Sequence, residues 1–359
     1  MNKVTIGTHN GKFHADEIVA CVLLRSLPEY KDAEIIRTRE ASLLDQCSVV
    51  VDVGGQFDPK RHRYDHHQRE FDLTFSDFFP ESKWNIKLSS AGLIFVHFGK
   101  RVIASLLDVD VSDAIVPVLF QKVTFVSHNI SSHHQLYSSF VVEIDAIDNG
   151  VPMTEETPKY SITSNLSSRV ARLNPVWNKP DMDEMECFRR AYSLVSEEFT
   201  SMLRHYAESW FPARDLVLAA FKNRFNVDSS GHIISLEEKQ CPWAAHFFEI
   251  EQSELGESKP FDLNDRANVS GRPLFCLYHR SDGAWAFQAI PLHDAYDFKN
   301  RLSLPDSWRG LRDAELSRVV GIPECVFVHA TGFLGIHKTR DGALHMIRQT
   351  LRANDLLSC

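Results

Sequence analysis

No two cysteines in this 359-residue sequence are spaced as Cys-x-x-Cys. The seven present (Cys21, Cys47, Cys187, Cys241, Cys276, Cys325 and Cys359) are odd in number and scattered. That argues against a thiolate zinc framework or a disulfide scaffold, so reduced thiols inside a cell are expected. No uninterrupted apolar run approaches the roughly 18 residues of a membrane-spanning helix, and no membrane partner is expected. The opening Met-Asn-Lys-Val-Thr-Ile-Gly lacks the charged and apolar regions of a secretory signal and the Arg- and Ser-rich pattern of a transit peptide. Secretion and a standard mitochondrial presequence are therefore not expected. The Asn-x-Ser triplets at Asn129, Asn165 and Asn268 are then chance matches. Positive charge is also in deficit, 39 Lys and Arg against 48 Asp and Glu, for a net −9. This argues against a non-specific nucleic-acid coat while leaving room for a local basic groove.

Histidine, in contrast, is abundant. There are 17, and five of them (His9, His14, His62, His66 and His67) fall within the first 67 residues. A 24% charged fraction and 11% aromatics exclude a disordered or fibrous chain. The length is that of two domains, each able to bury a core.

Periodicity divides the chain better than charge does. Strands are expected at 4–7, 33–38 and 48–53, with a helix at 16–27 that buries Ile18, Val19, Val22, Leu23 and Leu27 and carries Asp16 and Glu17 in its first turn. The almost wholly apolar Ser48-Val-Val-Val-Asp-Val suits a strand covered on both faces. The pattern is α/β with a parallel sheet, and such sheets hold ligands beyond the carboxyl ends of their strands. Met185, Phe188, Tyr192, Val195, Phe199, Leu203, Tyr206 and Trp210 step by 3 and 4, which predicts one long helix over 183–210 closed by Pro212. Beyond it a hairpin is expected at 273–278 and 284–291, a strand at 325–329, a Gly-bearing loop at 330–340 and a helix at 341–351. The expected organisation is a catalytic domain at 1–180, a connecting helix at 181–212, and a smaller mixed α/β domain at 213–359 that binds substrate.

Each expected strand end of the first domain delivers a residue of metal-ligand type. The first is followed by Thr8-His-Asn-Gly-Lys-Phe-His-Ala-Asp16, with two imidazoles (His9, His14) and a carboxylate (Asp16). The apolar strand leads to Asp52, whose burial is costly unless it is paired or metal-bound. Then comes Asp65-His66-His67. Mixed imidazole and carboxylate donors with no thiolate suit Mn²⁺, Mg²⁺ or a catalytic zinc or iron rather than a structural zinc. In the second half, Thr331-Gly-Phe-Leu-Gly-Ile-His-Lys-Thr-Arg340 feeds a helix N-terminus and is suited to hold an anion. His337, Lys338 and Arg340 are its candidate phosphate contacts, with Phe333 available to stack on a base.

The order His-x-x-x-x-His-x-Asp, strand Asp, Asp-His-His resembles the DHH phosphoesterase superfamily. Longer stretches resemble one family within it, the Myg or melanocyte-proliferating-gene exonucleases. These stretches are Ile6-Gly-Thr-His-Asn-Gly-Lys-Phe-His-Ala-Asp-Glu, Val51-Asp-Val-Gly-Gly, Arg61-His-Arg-Tyr-Asp-His-His-Gln-Arg, Lys87-Leu-Ser-Ser-Ala-Gly-Leu-Ile, Asp145-Ala-Ile-Asp-Asn-Gly, Val170-Ala-Arg-Leu-Asn-Pro and Trp308-Arg-Gly-Leu-Arg-Asp.

The resemblance covers nearly the whole chain. It implies a two-domain phosphoesterase fold with an N-terminal parallel-sheet DHH domain. The implied activity is that of a divalent-metal-dependent 3′→5′ exoribonuclease working from single-stranded 3′ ends, in the nucleus and cytoplasm and in mitochondria. It also implies two ions, Mn²⁺ or Mg²⁺, held by His9, His14, Asp16, Asp52, His66 and Asp148, with Asp52 as the bridge. His67 then lies nearer the substrate phosphate and Asp65 orients an imidazole. Asp148 carries the fourth motif, at the end of a helix through Phe140, Val141, Ile144 and Ile147, with Asp145 as the fallback ligand. Arg309 and Arg312 join the substrate contacts.

Two departures stand out. Residues 122–139, with His128, His133 and His134, are extra relative to the family and would disturb Asp148 if they displaced the following helix. Gly335-Ile336-His337 stands where the superfamily has Gly-Gly-His. Competing classes are a small-molecule phosphoesterase acting on pyrophosphate or dinucleotides, and a metal-stabilised binding protein without turnover.

Overall fold

The structure is a computed structural model that describes residues 3–120, 136–179, 181–237, 240–256, 260–292 and 299–357. The expected insertion at 122–139 lies mostly outside the described residues, and His128, His133 and His134 lie wholly outside them. The described chain forms two compact units, the first ending at Ala207 and the second starting at Glu208.

In the first unit, β1 (Thr5–Thr8) is followed by α1 (Ala15–Arg25), β2 (Glu34–Arg37), β3 (Val49–Val51), β4 (Phe57–Asp58) and β5 (Arg63–Tyr64). The sheet order is β2-β1-β3-β5-β4, parallel except for the edge strand β4. The expected strands at 4–7, 33–38 and 48–53 are found, the first shifted by one residue and the other two trimmed at both ends. β4 and β5 were not anticipated, because two-residue strands carry no readable alternation. Register matters most here: Gly7 pairs with Val50, and Val51 with Tyr64. Three parallel strands therefore end level, and the residues that follow them, His9, Asp52 and Asp65, leave one edge of the sheet together.

Helices α2 (Ser90–Leu107), α3 (Val142–Asp148), α4 (Leu166–Ala171) and α5 (Glu184–His205) complete this unit. α1 packs against α2 and α5. Ile18, Val22 and Leu23 of α1 and Leu93, Ile94 and Val102 of α2 are buried, each worth about 1.5–3 kcal/mol relative to exposure. With 18 residues and mean hydropathy 1.3, α2 is long and apolar enough to cross a membrane, and 61% of it is buried inside the unit. This corrects the expectation that no segment reaches that length. Lys100 and Arg101 interrupt the apolar run in sequence without lowering the helix average enough to fail the test.

The long amphipathic helix starts where expected, with the Asp183 carboxylate capping Met185 and Glu186 N–H at 2.8 and 3.2 Å. It does not stop at Pro212. α5 passes into a π-helical turn at Tyr206–Trp210, and Pro212 lies in the first turn of α6 (Phe211–Lys222). The helical stretch is continuous there, with Trp210 at φ −74° and ψ −53°, and the π-helical turn lies where Pro212 removes an N–H from the ladder.

The second unit continues with β6 (Ile233–Leu236), α7 (Ala244–Leu255), β7 (Phe275–His279), β8 (Trp285–Ala289), α8 (Asp313–Val320), β9 (Cys325–Val328), β10 (Leu334–His337) and α9 (Arg340–Ala353). Its sheet order is β6-β7-β8-β10-β9, antiparallel except for β6 with β7. The β7–β8 hairpin and the final helix agree with the sequence pattern. The stretch expected as a loop at 330–340 contains β10. Gly335 hid that strand, and its glycine is required by contact: a Cβ there would stand 2.2 Å from the Phe287 ring. Among the described residues all six cysteines are free.

Candidate metal centre

The loop after β1 is held from three sides. Arg37 of β2 donates to Gly11 O at 2.6 Å and pairs with Glu184, whose Oε1 also accepts from Gly11 N at 2.9 Å. The Arg37 guanidinium lies over the rings of Phe13 and Phe188. Asn174 Oδ1 accepts from Phe13 N, and Asn174 Nδ2 donates to Phe13 O. With its ends and middle so fixed, the loop presents His9 from the strand side and His14 from the start of α1. Glu17, fully buried in the first turn, takes the His14 N–H on both carboxylate oxygens at 3.0 and 2.9 Å.

Asp52 stands just beyond β3, 4% exposed, with φ 58°. Its Oδ2 lies 3.3 Å from His9 Nε2, and its Oδ1 lies 3.5 Å from both His66 Nε2 and His67 Nδ1. Gly54 and Gly55 follow, both at positive φ. This turn, easiest for glycine, aims Gly55 N–H at Asp65 Oδ2, 2.6 Å away. Asp65 is thereby free to hold His67, accepting from its ring Nδ1 at 2.7 Å and its N–H at 3.1 Å. The His67 ring is otherwise 62% exposed.

The fourth element is α3. Asp148 at its end reaches His66 Nε2 with Oδ2 at 3.1 Å. Asp145, one turn earlier, is used differently. It is fully buried and accepts from Ser89 N (2.8 Å), Ser89 Oγ (2.7 Å), Gly92 N (3.2 Å) and Tyr137 Oη (2.8 Å). It thus caps α2 and ties α3 to it. A Cβ on Gly92 would come within 2.5 Å of both Asp145 oxygens, which accounts for the glycine.

His9, His14, Asp16, Asp52, Asp65, His66, His67 and Asp148 line a cavity of about 850 Å³. His9, His14, Glu17 and Asp52 each place a donor atom within 4.8 Å of the others; so do Asp52, His66 and His67, and so do His14, Asp16 and Asp148. Charge is strained there. Burial, then Asp52, Asp148 and Glu17, push the Asp16 carboxyl well above the usual range. Burial opposes charge on His9 and His66, but Asp52 and Glu17 take His9 up to about 10, and Asp148 and Asp52 take His66 up to about 9. Asp52, despite burial, is held below the ordinary carboxylate range by His66 and His9.

Both oxygens of Asp16, Oδ1 of Asp52 and both ring nitrogens of His66 are buried with no hydrogen-bond partner. Close approach without hydrogen-bond alignment, among lone pairs converging on one space, is what a cation-binding site requires. The donor set fits divalent ions. Besides these, the cavity is lined by the cations Arg39 and Lys87, neither in an ion pair among the described residues.

The second-unit candidates are dispersed among other tasks. His337 is 3% exposed; its Nε2 donates to Pro323 O at 2.8 Å and its Nδ1 accepts from Thr339 N at 2.9 Å. A phosphate reaching that ring would have to displace one of them. Arg340 forms a forked pair with Glu237, Arg309 pairs with Asp306 and donates to Leu304 O, and Arg312 lies over the Phe327 ring. Lys338 is exposed, 4.0 Å from Glu324, and Phe333 lies beside the His329 ring.

Glu17, Arg39, Lys87 and Asn174 were not singled out from sequence. Glu17 carried a signal, standing three residues after a helix cap as a capping box requires. Asn174 and Lys87 lie inside quoted motifs without an evident task.

Comparison with known proteins agrees with these motifs. The MYG1 exonuclease profile, described as an uncharacterised protein family (UPF0160), matches residues 5–351. The human protein named MYG1 exonuclease is 48% identical over 353 residues, covering 98% of this chain and 87% of its own. The Bos taurus MYG1 exonuclease is 49% identical over 347 residues (96% and 84%). The MYG1 protein of Dictyostelium discoideum is 41% identical over 355 residues (98% and 97%). The chain belongs to the MYG1 exonuclease family.

Proposed function

We propose that this protein is a divalent-metal-dependent 3′→5′ exoribonuclease of the DHH phosphoesterase type, acting on single-stranded RNA ends in the nucleus and cytoplasm and in mitochondria. The observation that carries the reading is the convergence of Asp16, Asp52, His66 and Asp148, three of them with unpartnered buried donor atoms, on the floor of one cavity. The exonuclease names of the mammalian relatives support the reaction class.

His9, His14 and Asp52 would hold one ion, and Asp16, Asp52, His66 and Asp148 the other, with Mn²⁺ or Mg²⁺ the natural occupants of this donor set. Bound there, two divalent ions supply positive charge to the phosphate oxygens and a water of lowered pKa. The protein contributes orientation. Asp65 fixes the His67 ring through Nδ1 and, with Asp52, favours its doubly protonated form, whose Nε2–H can donate to a phosphate oxygen. Arg39 and Lys87 offset the anionic charge of an incoming backbone, in a cavity whose walls also carry Asp16, Asp52, Asp65 and Asp148. The second-unit residues Lys338, Arg340, Arg309 and Arg312 are proposed to hold RNA beyond the reacting end, with His337 bracing their turn.

The test is incubation of Mn²⁺-loaded protein with 5′-labelled RNA. Stepwise shortening with mononucleotide release, lost in Asp52→Ala and His66→Ala, supports the proposal. Turnover of pyrophosphate or dinucleotides alone would replace it with a small-molecule phosphoesterase. Unchanged RNA decay in both variants would assign any nuclease signal to another protein.

A further inference from the structure

Glu17 has a structural task, accepting the His14 N–H at the start of α1. That task alone does not explain its position. His9 Nδ1 faces Asn10 O at 3.1 Å, so in the neutral ring Nδ1 carries the proton and Nε2 bears a lone pair. That nitrogen stands 3.1 Å from Glu17 Oε1 and 3.3 Å from Asp52 Oδ2. When a cation takes the place of the Nε2 proton, three lone pairs meet at one point in a setting where Glu17 is fully buried, and His14 supplies a fourth donor atom within 4.8 Å. An ion bound at about 2.1 Å by donors at right angles keeps neighbouring donors roughly 3.0 Å apart, close to the two separations seen.

Building on the metal reading above, we propose that Glu17 is itself a ligand of the first ion. The site becomes a set of two imidazoles and two carboxylates, His9, His14, Glu17 and Asp52, that selects Mn²⁺ over zinc. A catalytic zinc takes three protein ligands and keeps its fourth position for water or substrate. Four protein donors would close a tetrahedral zinc site, whereas an ion of five or six coordination still has room for a phosphate oxygen. Carboxylate and imidazole donors without sulfur match the same class of ion.

The experiment is calorimetric titration of metal-stripped full-length protein with Mn²⁺ and, separately, Zn²⁺, in wild type and Glu17→Gln, with thermal melts of both metal-free proteins. Glutamine keeps the size of the side chain and an oxygen for the His14 N–H, so the metal-free melting temperature should not fall. Wild type should bind two Mn²⁺. Glu17→Gln should keep one at wild-type affinity and weaken the other by more than about 100-fold, the upper end of what loss of an outer-shell partner causes. Its Mn²⁺-to-Zn²⁺ affinity ratio should fall with it.

Two Mn²⁺ sites in the variant within about 100-fold of wild type would overturn the proposal and leave Glu17 as a positioning residue. Equal weakening of both ions together with a lowered metal-free melting temperature would overturn it too, as the mark of a structural defect. Absence of Mn²⁺ binding in wild type would overturn the metal reading itself, and this proposal with it.

Discussion

Asn174 grips the backbone of Phe13 from both sides, its Oδ1 accepting from Phe13 N at 2.9 Å and its Nδ2 donating to Phe13 O at 2.8 Å, across 161 residues of sequence. The amide thus stands in for a neighbouring strand and stiffens the loop between His9 and His14. Asn174→Ala leaves two buried backbone groups unpaired, at a cost of about 1–3 kcal/mol each. Mn²⁺ affinity should fall by about 10–100-fold, as for other outer-shell losses. Titration calorimetry beside chemical denaturation checks both. Wild-type metal affinity in this variant would mean that the loop holds its shape through Arg37 and Glu184 alone.

Removing metal should destabilise the first unit, because Asp16, Glu17, Asp52 and Asp148 are then offset only by the His9 and His66 imidazoles. At a Mn²⁺ concentration 100 times its dissociation constant, binding adds about 2.7 kcal/mol. For a unit of this size that is roughly 5–10 °C in melting temperature. Scanning calorimetry with chelator and then with Mn²⁺ restored measures it. No shift would count against a resident ion.

Asp145 gives a pH dependence independent of the metal. Burial, outweighing its donors Ser89, Tyr137 and Gly92, pushes its carboxyl up to about 7. Its folded pKa is above the unfolded value, so its contribution to stability is full below about pH 4 and is lost as pH rises through 7. Asp145→Asn keeps an oxygen for Ser89 and Gly92 and an amide that can donate to the Tyr137 hydroxyl. The variant should therefore gain on wild type between pH 5 and pH 8, by up to the order of 4 kcal/mol. Urea midpoints across that range show it; parallel curves would refute it. Gly92→Ala should be destabilising at every pH, since its Cβ meets the carboxylate.

Arg39→Ala and Lys87→Ala should act on substrate rather than on metal. Each removes a phosphate-attracting charge from the cavity wall, so KM for a labelled RNA should rise several-fold and its salt dependence should weaken by about one counter-ion. Mn²⁺ affinity should stay as in wild type. Unchanged KM at low salt would place the phosphate contacts elsewhere.

His337→Ala and Lys338→Ala should separate bracing from contact in the second unit. The first opens a buried site and strands Pro323 O and Thr339 N, at about 1–3 kcal/mol of stability for each unpaired group. The second should leave stability within about 0.5 kcal/mol and weaken RNA binding instead. Fluorescence anisotropy with labelled RNA, paired with thermal melts, tells them apart; loss of RNA affinity in a fully folded His337→Ala would restore the direct phosphate role.

The sequence was most legible where apolar runs end in polar ligands. β1, β3 and α1 announce themselves by hydrophobic pattern, and His9, His14, Asp16 and Asp52 stand at their ends, while His66 was legible only through the Asp-His-His motif. Asp148 was separable from Asp145 by motif, yet only the fold explains the difference: Asp145 is spent on Ser89, Gly92 and Tyr137. Elements that depend on distant partners were hidden. β5 exists because β3 pairs with it, and β10 because Phe287 accommodates Gly335. Glu17 read as a carboxylate suited to a helix dipole, and nothing local says that a strand from the other side of the loop brings His9 to it. Pro212 looked like a stop signal because nothing local says that a π-helical turn will carry the helix past it.

Asp52 occupies the left-handed backbone region, where glycine is at ease and a side chain adds strain. Asp52→Gly would relax that strain and remove a carboxylate from the anionic pocket, but it would also leave the His9 and His66 imidazoles without the partner they share. Aspartate and glycine codons differ by a single base, so a chain with a relaxed backbone and no carboxylate at this point is one mutation away. The backbone at position 52 suits glycine better than aspartate, so the carboxylate stands there for what it touches, His9 and His66, and not for the turn that carries it. This also makes Asp52→Gly a natural starting scaffold for trapping an uncleaved substrate.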